Sequence, residues 1–197
     1  MSSASSSLPD ALRAVLRDPA EATAVEVHGR TKAAVLVALY DDDGMHVVFT
    51  RRRHDLRSHA GEISFPGGRR DKGEDLVTTA LREAEEEIGL PRDAVAVLGA
   101  LDPVPTVATN FGVYPIVGLI EPGTEWRLSP REVDEVLELR LGDLRAACTR
   151  RRLLHRGIPF RSDVYDLSED AVIWGATARI VSDLLARVQP RVDRSTG

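Results

Sequence analysis

The chain has 197 residues, of which 43% are hydrophobic and 29% charged, and its formal net charge at pH 7 is −5. This length supports one domain with a single hydrophobic core, and no break in composition indicates a second domain. Domains that bind nucleic acids are usually basic, so the negative net charge argues against a nucleic-acid partner.

Cysteine content and hydropathy bear on the compartment of the protein. Cys148 is the only cysteine, which excludes a disulfide framework and predicts one buried thiol. No segment approaches the roughly 18 apolar residues of a membrane span, and the Ser-rich start, Met1 to Ser7, lacks an apolar secretory core. We therefore expect a cytoplasmic protein with no membrane partner.

The first third of the chain predicts a short helix and then a hairpin. Residues 1–22 are expected to be a tail with a helix at 9–16, ahead of a single domain at 23–190 and a second tail at 191–197. The run KAAVLVALY, from Lys32 to Tyr40, predicts a buried strand, and the residues that follow it predict a turn and a paired strand ending at Arg51.

The remaining elements alternate between strands and helices. An Arg-rich loop at 52–60 and a short strand at 62–65 precede a helix at 75–88, which Gly89 and Pro91 end. Further strands are predicted at 94–101, 113–120, 136–141 and 160–167. Helical spacing of Thr177, Val181, Leu184 and Val188 predicts a final helix. This order favours an α/β sandwich in which helices cover both faces of a mixed sheet.

The helix at 75–88 carries an unusual cluster of carboxylates. An apolar stripe is predicted at Val77, Leu81, Ala84 and Ile88. Glu83, Glu86 and Glu87 have i, i+3, i+4 spacing and are expected on a nearly opposite face. Negative charge near a helix C-terminus is unfavourable without a cation, and carboxylate oxygens suit Mg²⁺ or Mn²⁺. An acidic run is more often a plain solvated face, so the neighbouring residues must decide.

The residues around the three glutamates form a sequence motif. Residues 68–90 read GRRDKGEDLVTTALREAEEEIGL, with a glycine, a glutamate, an Arg-Glu pair, a Glu-Glu pair and a final Gly at fixed intervals. This segment resembles the Nudix box, the loop–helix–loop of the Nudix hydrolases. The resemblance implies an α/β/α sandwich with a mixed sheet and a divalent-metal site.

The resemblance also implies roles for single residues. Glu83, Glu86 and Glu87 match the metal-ligand and catalytic positions, and Gly68 matches the place where the backbone approaches metal and phosphates. Arg82 and Glu74 correspond to structural positions. A metal-activated water is expected to attack phosphorus. Its proton acceptor stays open between Glu86 and a carboxylate from a distal loop, for which Glu132 and Glu135 are the candidates.

The residues before the box resemble the signature of the Nudix subfamily that hydrolyses coenzyme A. Thr50, Arg52, Arg57, Gly61 and the run Phe65 to Gly68 match it, whereas Arg53 stands where a small residue is usual. Guanidinium groups bind phosphate in bidentate fashion, so the Arg-rich loop suits the 3′-phosphate of coenzyme A. The substrate-binding candidates are Arg52, Arg57, His59 and Gly67.

Alternatives remain for the substrate and the assembly. Pro105 resembles a proline position associated with ADP-ribose hydrolases, which keeps open ADP-ribose or an oxidised nucleoside triphosphate. A non-catalytic nucleotide-sensing domain is a second class, but such domains generally lose box carboxylates that this chain retains. The choices between free and acylated coenzyme A, Mg²⁺ and Mn²⁺, and monomer and homodimer are also open.

Overall fold

A computed structural model describes residues 7–27, 31–54, 61–106, 110–155 and 158–192. The helices are α1 Leu8–Arg13, α2 Pro19–Ala24, α3 Leu76–Ile88, α4 Leu141–Ala147 and α5 Gly175–Val192, with a 3₁₀ turn at Arg92–Ala94. The strands are β1 Thr31–Asp41, β2 Met45–Arg52, β3 Ile63–Ser64, β4 Gly67–Arg69, β5 Ala96–Ala100, β6 Val104–Pro105, β7 Phe111–Leu119, β8 Val133–Arg140, β9 Cys148–His155, β10 Ile158–Ser168 and β11 Ala171–Ile173.

The main sheet is mixed, and β1 is its central strand. β1 runs parallel to β7 and antiparallel to its hairpin partner β2 and to the short β4. β3 and β8 both pair with β2, while β5 and β6 both pair with β7. A second sheet contains β9, β10 and β11, with β10 in the middle. The predicted hairpin and mixed sheet are confirmed.

Successive side chains of β1 divide the hydrophobic core between the two faces of the sheet. Val37 and Leu39 pack in a cluster with residues of α1, α4 and α5, whereas Leu36 and Ala38 pack in a cluster with residues of α2 and α3. All four are completely buried. Since side chains alternate across a strand, helices cover both faces, as the predicted α/β/α sandwich requires.

Helix α3 is fixed at both ends by caps that the sequence supplies. The Asp75 carboxylate accepts a hydrogen bond from the Thr78 N–H at 2.9 Å. At the other end, Gly89 has φ +70°, and its N–H donates to the Glu85 carbonyl. This left-handed conformation favours glycine, which ends the helix in the register that the box requires.

Several elements differ from the sequence-based expectation. Helices α2 and α4 and strands β4, β6, β9 and β11 were not predicted, and α1 ends at Arg13 rather than at Leu16. Cys148 is exposed, so the prediction of a buried thiol is wrong; the residue lies where α4 ends and β9 begins.

No described helix is long and apolar enough to cross a membrane.

Candidate metal and phosphate site

The site forms where α3 packs against β4. Gly68 pairs with Ala34 of β1, and a Cβ built on it would lie 2.5 Å from Glu83 Cδ. Only glycine therefore allows the Glu83 carboxylate to lie against the backbone at this point. The neighbouring Gly67 N–H donates to Glu87 Oε2 at 3.2 Å. Gly68 thus leaves space for the Glu83 carboxylate, and the Gly67 N–H bonds the Glu87 carboxylate.

The three carboxylates differ widely in exposure. Glu87 is 7% exposed, and the Glu83 and Glu86 side chains are 16% and 59% exposed. The prediction that Glu87 shares an open face opposite the apolar stripe is wrong, because β4 covers this side of α3. The buried stripe of α3 is rotated accordingly, so that Val77 and Leu81 are only half-buried. It comprises Leu76, Thr79, Ala80, Ala84, Glu87 and Ile88.

Arg82 is the internal counter-ion of this cluster. Its Nη1 donates to Glu83 Oε1 at 2.9 Å and to Glu86 Oε2 at 3.2 Å. Its Nε and Nη2 donate to the two carboxylate oxygens of Glu74 at 3.0 and 3.2 Å. The bidentate pair lowers the pKa of Glu74. Arg82 and Glu74 therefore fix the loop before α3 and the orientation of the nearby carboxylates.

The buried carboxylates are electrostatically strained when ionised. Burial, together with the charges of Glu83 and Glu132, raises the pKa of Glu87 to about 8, although the Gly67 hydrogen bond and Arg52 oppose the shift. Burial also raises the pKa of Glu83, against the effect of Arg82. Both shifts mean that the ionised forms lack sufficient compensating positive charge.

The donor set fits a divalent cation. Carboxylate oxygens are the ligands that Mg²⁺ and Mn²⁺ prefer, and a cation would offset the uncompensated charge of Glu83 and Glu87. Within the described ranges, no three His, Cys, Asp or Glu side chains are already arranged around one ion. The contacts of Arg82 account for this, because its Nη1 binds oxygens of both Glu83 and Glu86. The Glu86 side chain is 59% exposed, and the Arg82 Nη1 that it pairs with is shared with Glu83.

The structure separates the two distal carboxylates. Glu132 belongs to a turn that is bonded to α3, because its N–H donates to the Ser129 carbonyl at 3.1 Å and the Ser129 N–H donates to the Glu87 carbonyl at 2.8 Å. The charge of Glu132 also contributes to the raised pKa values of Glu83 and Glu87. Glu135 instead forms an ion pair with Arg51, Nε to Oε2 3.0 Å. Of the two distal carboxylates, Glu132 is therefore the one whose loop and charge contact the cluster, while Glu135 pairs with Arg51.

A cavity of about 260 Å³ opens on the other side of β4. Gly67 and Gly68 form one wall, and its apolar surface comes from Val35, Phe111, Val113, Ala176, Thr177 and Ile180. Arg52, Glu62 and Arg69 contribute polar groups. The Nε of Arg52 is buried and, like that of Arg51, has no hydrogen-bond partner in the described part of the chain.

Sequence reasoning missed much of this cavity. Thr177 was assigned to an apolar core stripe, whereas it is half-buried and faces the cavity. Phe111 and Ile180 carried no local signal, since only the packing of α5 over the β1–β7 pair brings them together. Two predicted substrate-binding residues, Arg57 and His59, lie outside the described residues.

Comparisons with known proteins agree with this geometry. The family described as NUDIX domain matches residues 30–160. A protein of Pectobacterium atrosepticum named "uncharacterized Nudix hydrolase NudL" is 38% identical over 84% of this chain and 86% of its own length. A protein of the same name from Photorhabdus laumondii is 39% identical over 80% and 84%.

Solved structures show the same fold. A Nudix hydrolase from M. smegmatis, RenU, has a TM-score of 0.51 at 20% identity, over 68% of this chain and 81% of its own. A MutT/nudix family protein from Enterococcus faecalis has a TM-score of 0.53 at 17% identity, over 83% and 64%. With the capped acidic helix, the glycine cradle and these matches together, the chain belongs to the NUDIX domain family and is a hydrolase that acts on phosphorus-containing anhydrides.

Proposed function

We propose that the protein hydrolyses the diphosphate of coenzyme A or acyl-coenzyme A. The products are adenosine 3′,5′-bisphosphate and 4′-phosphopantetheine or its acyl form. The observation that carries this proposal is that a residue of the coenzyme A signature lies at the carboxylate site. Arg52 of the signature faces the cavity, and its charge acts on Glu87.

Backbone hydrogen bonds fix the position of Arg52 within the signature. The Gly61 N–H donates to the Arg52 carbonyl and the Arg52 N–H donates to the Glu62 carbonyl, both at 3.0 Å. Gly61 has φ +71°, and a Cβ on it would lie 2.6 Å from the His54 ring. This left-handed φ favours glycine at position 61, one of the matched positions of the signature.

In the proposed reaction, Glu83, Glu86, Glu87 and the Gly68 backbone would hold a divalent cation, which would supply charge neutralisation of the diphosphate and a more acidic water. Glu132 would accept the proton of the attacking water, since its loop is bonded to α3 through Ser129 and its charge acts on Glu87. Arg52 contacts the diphosphate beside Gly67, and Arg57 and His59 of the signature loop bind the 3′-phosphate end.

A turnover panel tests the proposal. Coenzyme A, acetyl-coenzyme A, ADP-ribose, NADH and 8-oxo-dGTP are compared with Mg²⁺ and with Mn²⁺. We expect the highest kcat/KM for coenzyme A or its thioester and no turnover in excess EDTA. A preference for ADP-ribose or 8-oxo-dGTP would overturn the substrate assignment.

One observation favours hydrolysis of ADP-ribose or an oxidised nucleoside triphosphate as the second candidate. Pro105 of β6 pairs with Gly112 of β7, next to the cavity residues Thr106 and Phe111. The proline therefore lies close enough to shape the cavity for a nucleoside. The same panel distinguishes the two candidates.

A further inference from the structure

We propose that Arg53 is a positioning residue that holds Glu132 at the carboxylate cluster. This inference rests on the proposed function, in which Glu132 accepts a proton from water. Arg53 follows directly after β2 and is half-buried. Its side chain and its backbone both reach the loop that carries Glu132.

Arg53 bonds the loop at two backbone carbonyls, that of Glu132 and that of Pro130. The Arg53 N–H donates to the Glu132 carbonyl at 3.0 Å. Its Nη1 donates to the Pro130 carbonyl at 2.7 Å. Any residue except proline can supply the first bond, whereas the second depends on a long side chain with a terminal donor. The small residue usual at this position could not make it.

The loop is also fixed at its other end, to α3. The Ser129 N–H donates to the Glu87 carbonyl at 2.8 Å, and the Glu132 and Val133 N–H groups donate to the Ser129 carbonyl at 3.1 and 3.0 Å. The segment 129–133 is thus a tight turn that spans from the end of α3 to the end of β2. Arg53 supplies the β2 end of this span.

The backbone of Glu132 needs to be held in place because its side chain is exposed. An exposed glutamate samples several rotamers, so its backbone must be fixed if the carboxylate is to stay within reach of one water. The bond to Pro130 closes the turn next to Glu132 without touching its carboxylate. Arg53 therefore acts on catalysis through Glu132 rather than on the substrate.

The test is a double-mutant cycle on the best substrate of the panel. Arg53→Ala should lower kcat by about 10-fold, within the roughly 100-fold that a displacement of 1 Å can cost, and leave KM within about 2-fold. In the Glu132→Gln background the same substitution should change kcat by less than about 2-fold. Arg53→Lys, which retains a donor, should recover part of the loss.

Hydrogen exchange gives a readout that does not depend on activity. The backbone amides of Ser129, Arg131, Glu132 and Val133 should exchange about 5-fold faster in Arg53→Ala than in the parent, the effect of losing about one hydrogen bond. Arg131→Ala is the matched control, because Arg131 is an exposed arginine of the same loop. It should alter neither exchange nor kcat.

The outcomes separate the inference from the function on which it rests. Equal kcat losses from Arg53→Ala in both Glu132 backgrounds, a raised KM with normal kcat, or unchanged exchange would refute the role of Arg53 alone. A Glu132→Gln variant with parental kcat would refute the proposed base and this inference with it. Absence of turnover by the parent on every diphosphate would refute the proposed function as a whole.

Discussion

The box at residues 68–90 and the cavity beside it contribute to one site but are assembled in different ways. The box joins β4, a loop and α3 within one continuous segment, and its carboxylates are set by local caps and glycines. The cavity collects side chains from β1, β7 and α5, which are far apart in sequence. The arrangement of the carboxylates is therefore encoded locally, whereas the shape of the cavity depends on tertiary packing.

If the box carries the chemistry, its buried carboxylates should be essential for every substrate. Glu83→Gln or Glu87→Gln should lower kcat by at least about 10³-fold, since a metal site supplies several kcal/mol of transition-state stabilisation. The measurement is steady-state turnover across a metal titration. Glu85→Gln is the matched control, because Glu85 lies on the same helix but pairs with Arg92 at 2.7 Å. Comparable activity in the Glu83, Glu85 and Glu87 variants would refute the metal-site assignment.

Glu132 and Glu135 provide a second contrast, between a carboxylate whose charge acts on Glu83 and Glu87 and one that pairs with Arg51. Glu132→Gln should lower kcat by about 10²-fold, as expected for loss of a general base. Glu135→Gln should change kcat by less than about 3-fold, because it removes only a partly exposed ion pair with Arg51. Rapid-quench measurement of the chemical step distinguishes the two. A larger effect at Glu135 would reverse the assignment.

The signature loop should affect substrate choice and leave the chemistry intact. Arg57→Ala should lower kcat/KM for coenzyme A by roughly 10- to 150-fold, the equivalent of about 1.5–3 kcal/mol for a charged hydrogen bond. Dephospho-coenzyme A lacks the 3′-phosphate, so its hydrolysis should be nearly unchanged. Arg52→Ala should weaken both substrates, since Arg52 faces the cavity beside Glu87. Equal losses on both substrates for Arg57→Ala would mean that Arg57 does not recognise the 3′-phosphate.

The smallest expected effect is on the stability of the metal-free protein. Burial raises the pKa of Glu87 from its ordinary 4.5 to about 8, with Glu83 and Glu132 adding to the shift and Arg52 opposing it. The stability that the protonated carboxyl contributes is therefore fully present below pH 4.5 and is lost as pH rises through about 8. A glutamine at position 87 cannot ionise, so the Glu87→Gln variant should not lose this stability as pH rises.

In EDTA at pH 8.5, the Glu87→Gln variant should melt about 2–4 °C above the parent, the shift that about 1 kcal/mol gives in a chain of this size. The two melting temperatures should converge as pH falls toward 4.5. Calorimetry across this range checks the prediction. A variant that melts below the parent at pH 8.5 would show that Glu87 is already compensated without a cation.

The contrast between box and cavity also explains which parts of the fold the sequence predicts. Asp75, Gly89 and the apolar spacing of α3 are local signals, and the helix lies where they indicate. The strand β9, with the sequence CTRRRLLH, lacks apolar alternation; its pairing with β10 outweighs its weak local preference. The parallel contact of β1 with β7 likewise has no local signature.

In the candidate site too, local sequence patterns predict some features, and tertiary packing determines the others. The three glutamates and Gly68 could be predicted because their spacing is fixed within one segment. The burial of Glu87 could not, since it depends on the short strand β4 packing against α3. Glu132 and Glu135 were equivalent in sequence, and only their partners in the fold separate them.

The most direct test of the central claim is to follow the oxygen of water through the reaction. Acetyl-coenzyme A is hydrolysed by the parent enzyme in ¹⁸O-water, and the products are examined by mass spectrometry. The box offers a phosphate-binding metal site, so label should enter a phosphate of adenosine 3′,5′-bisphosphate or of acetyl-phosphopantetheine, with the thioester intact. Label found only in acetate would show attack on the thioester carbonyl and would contradict the account.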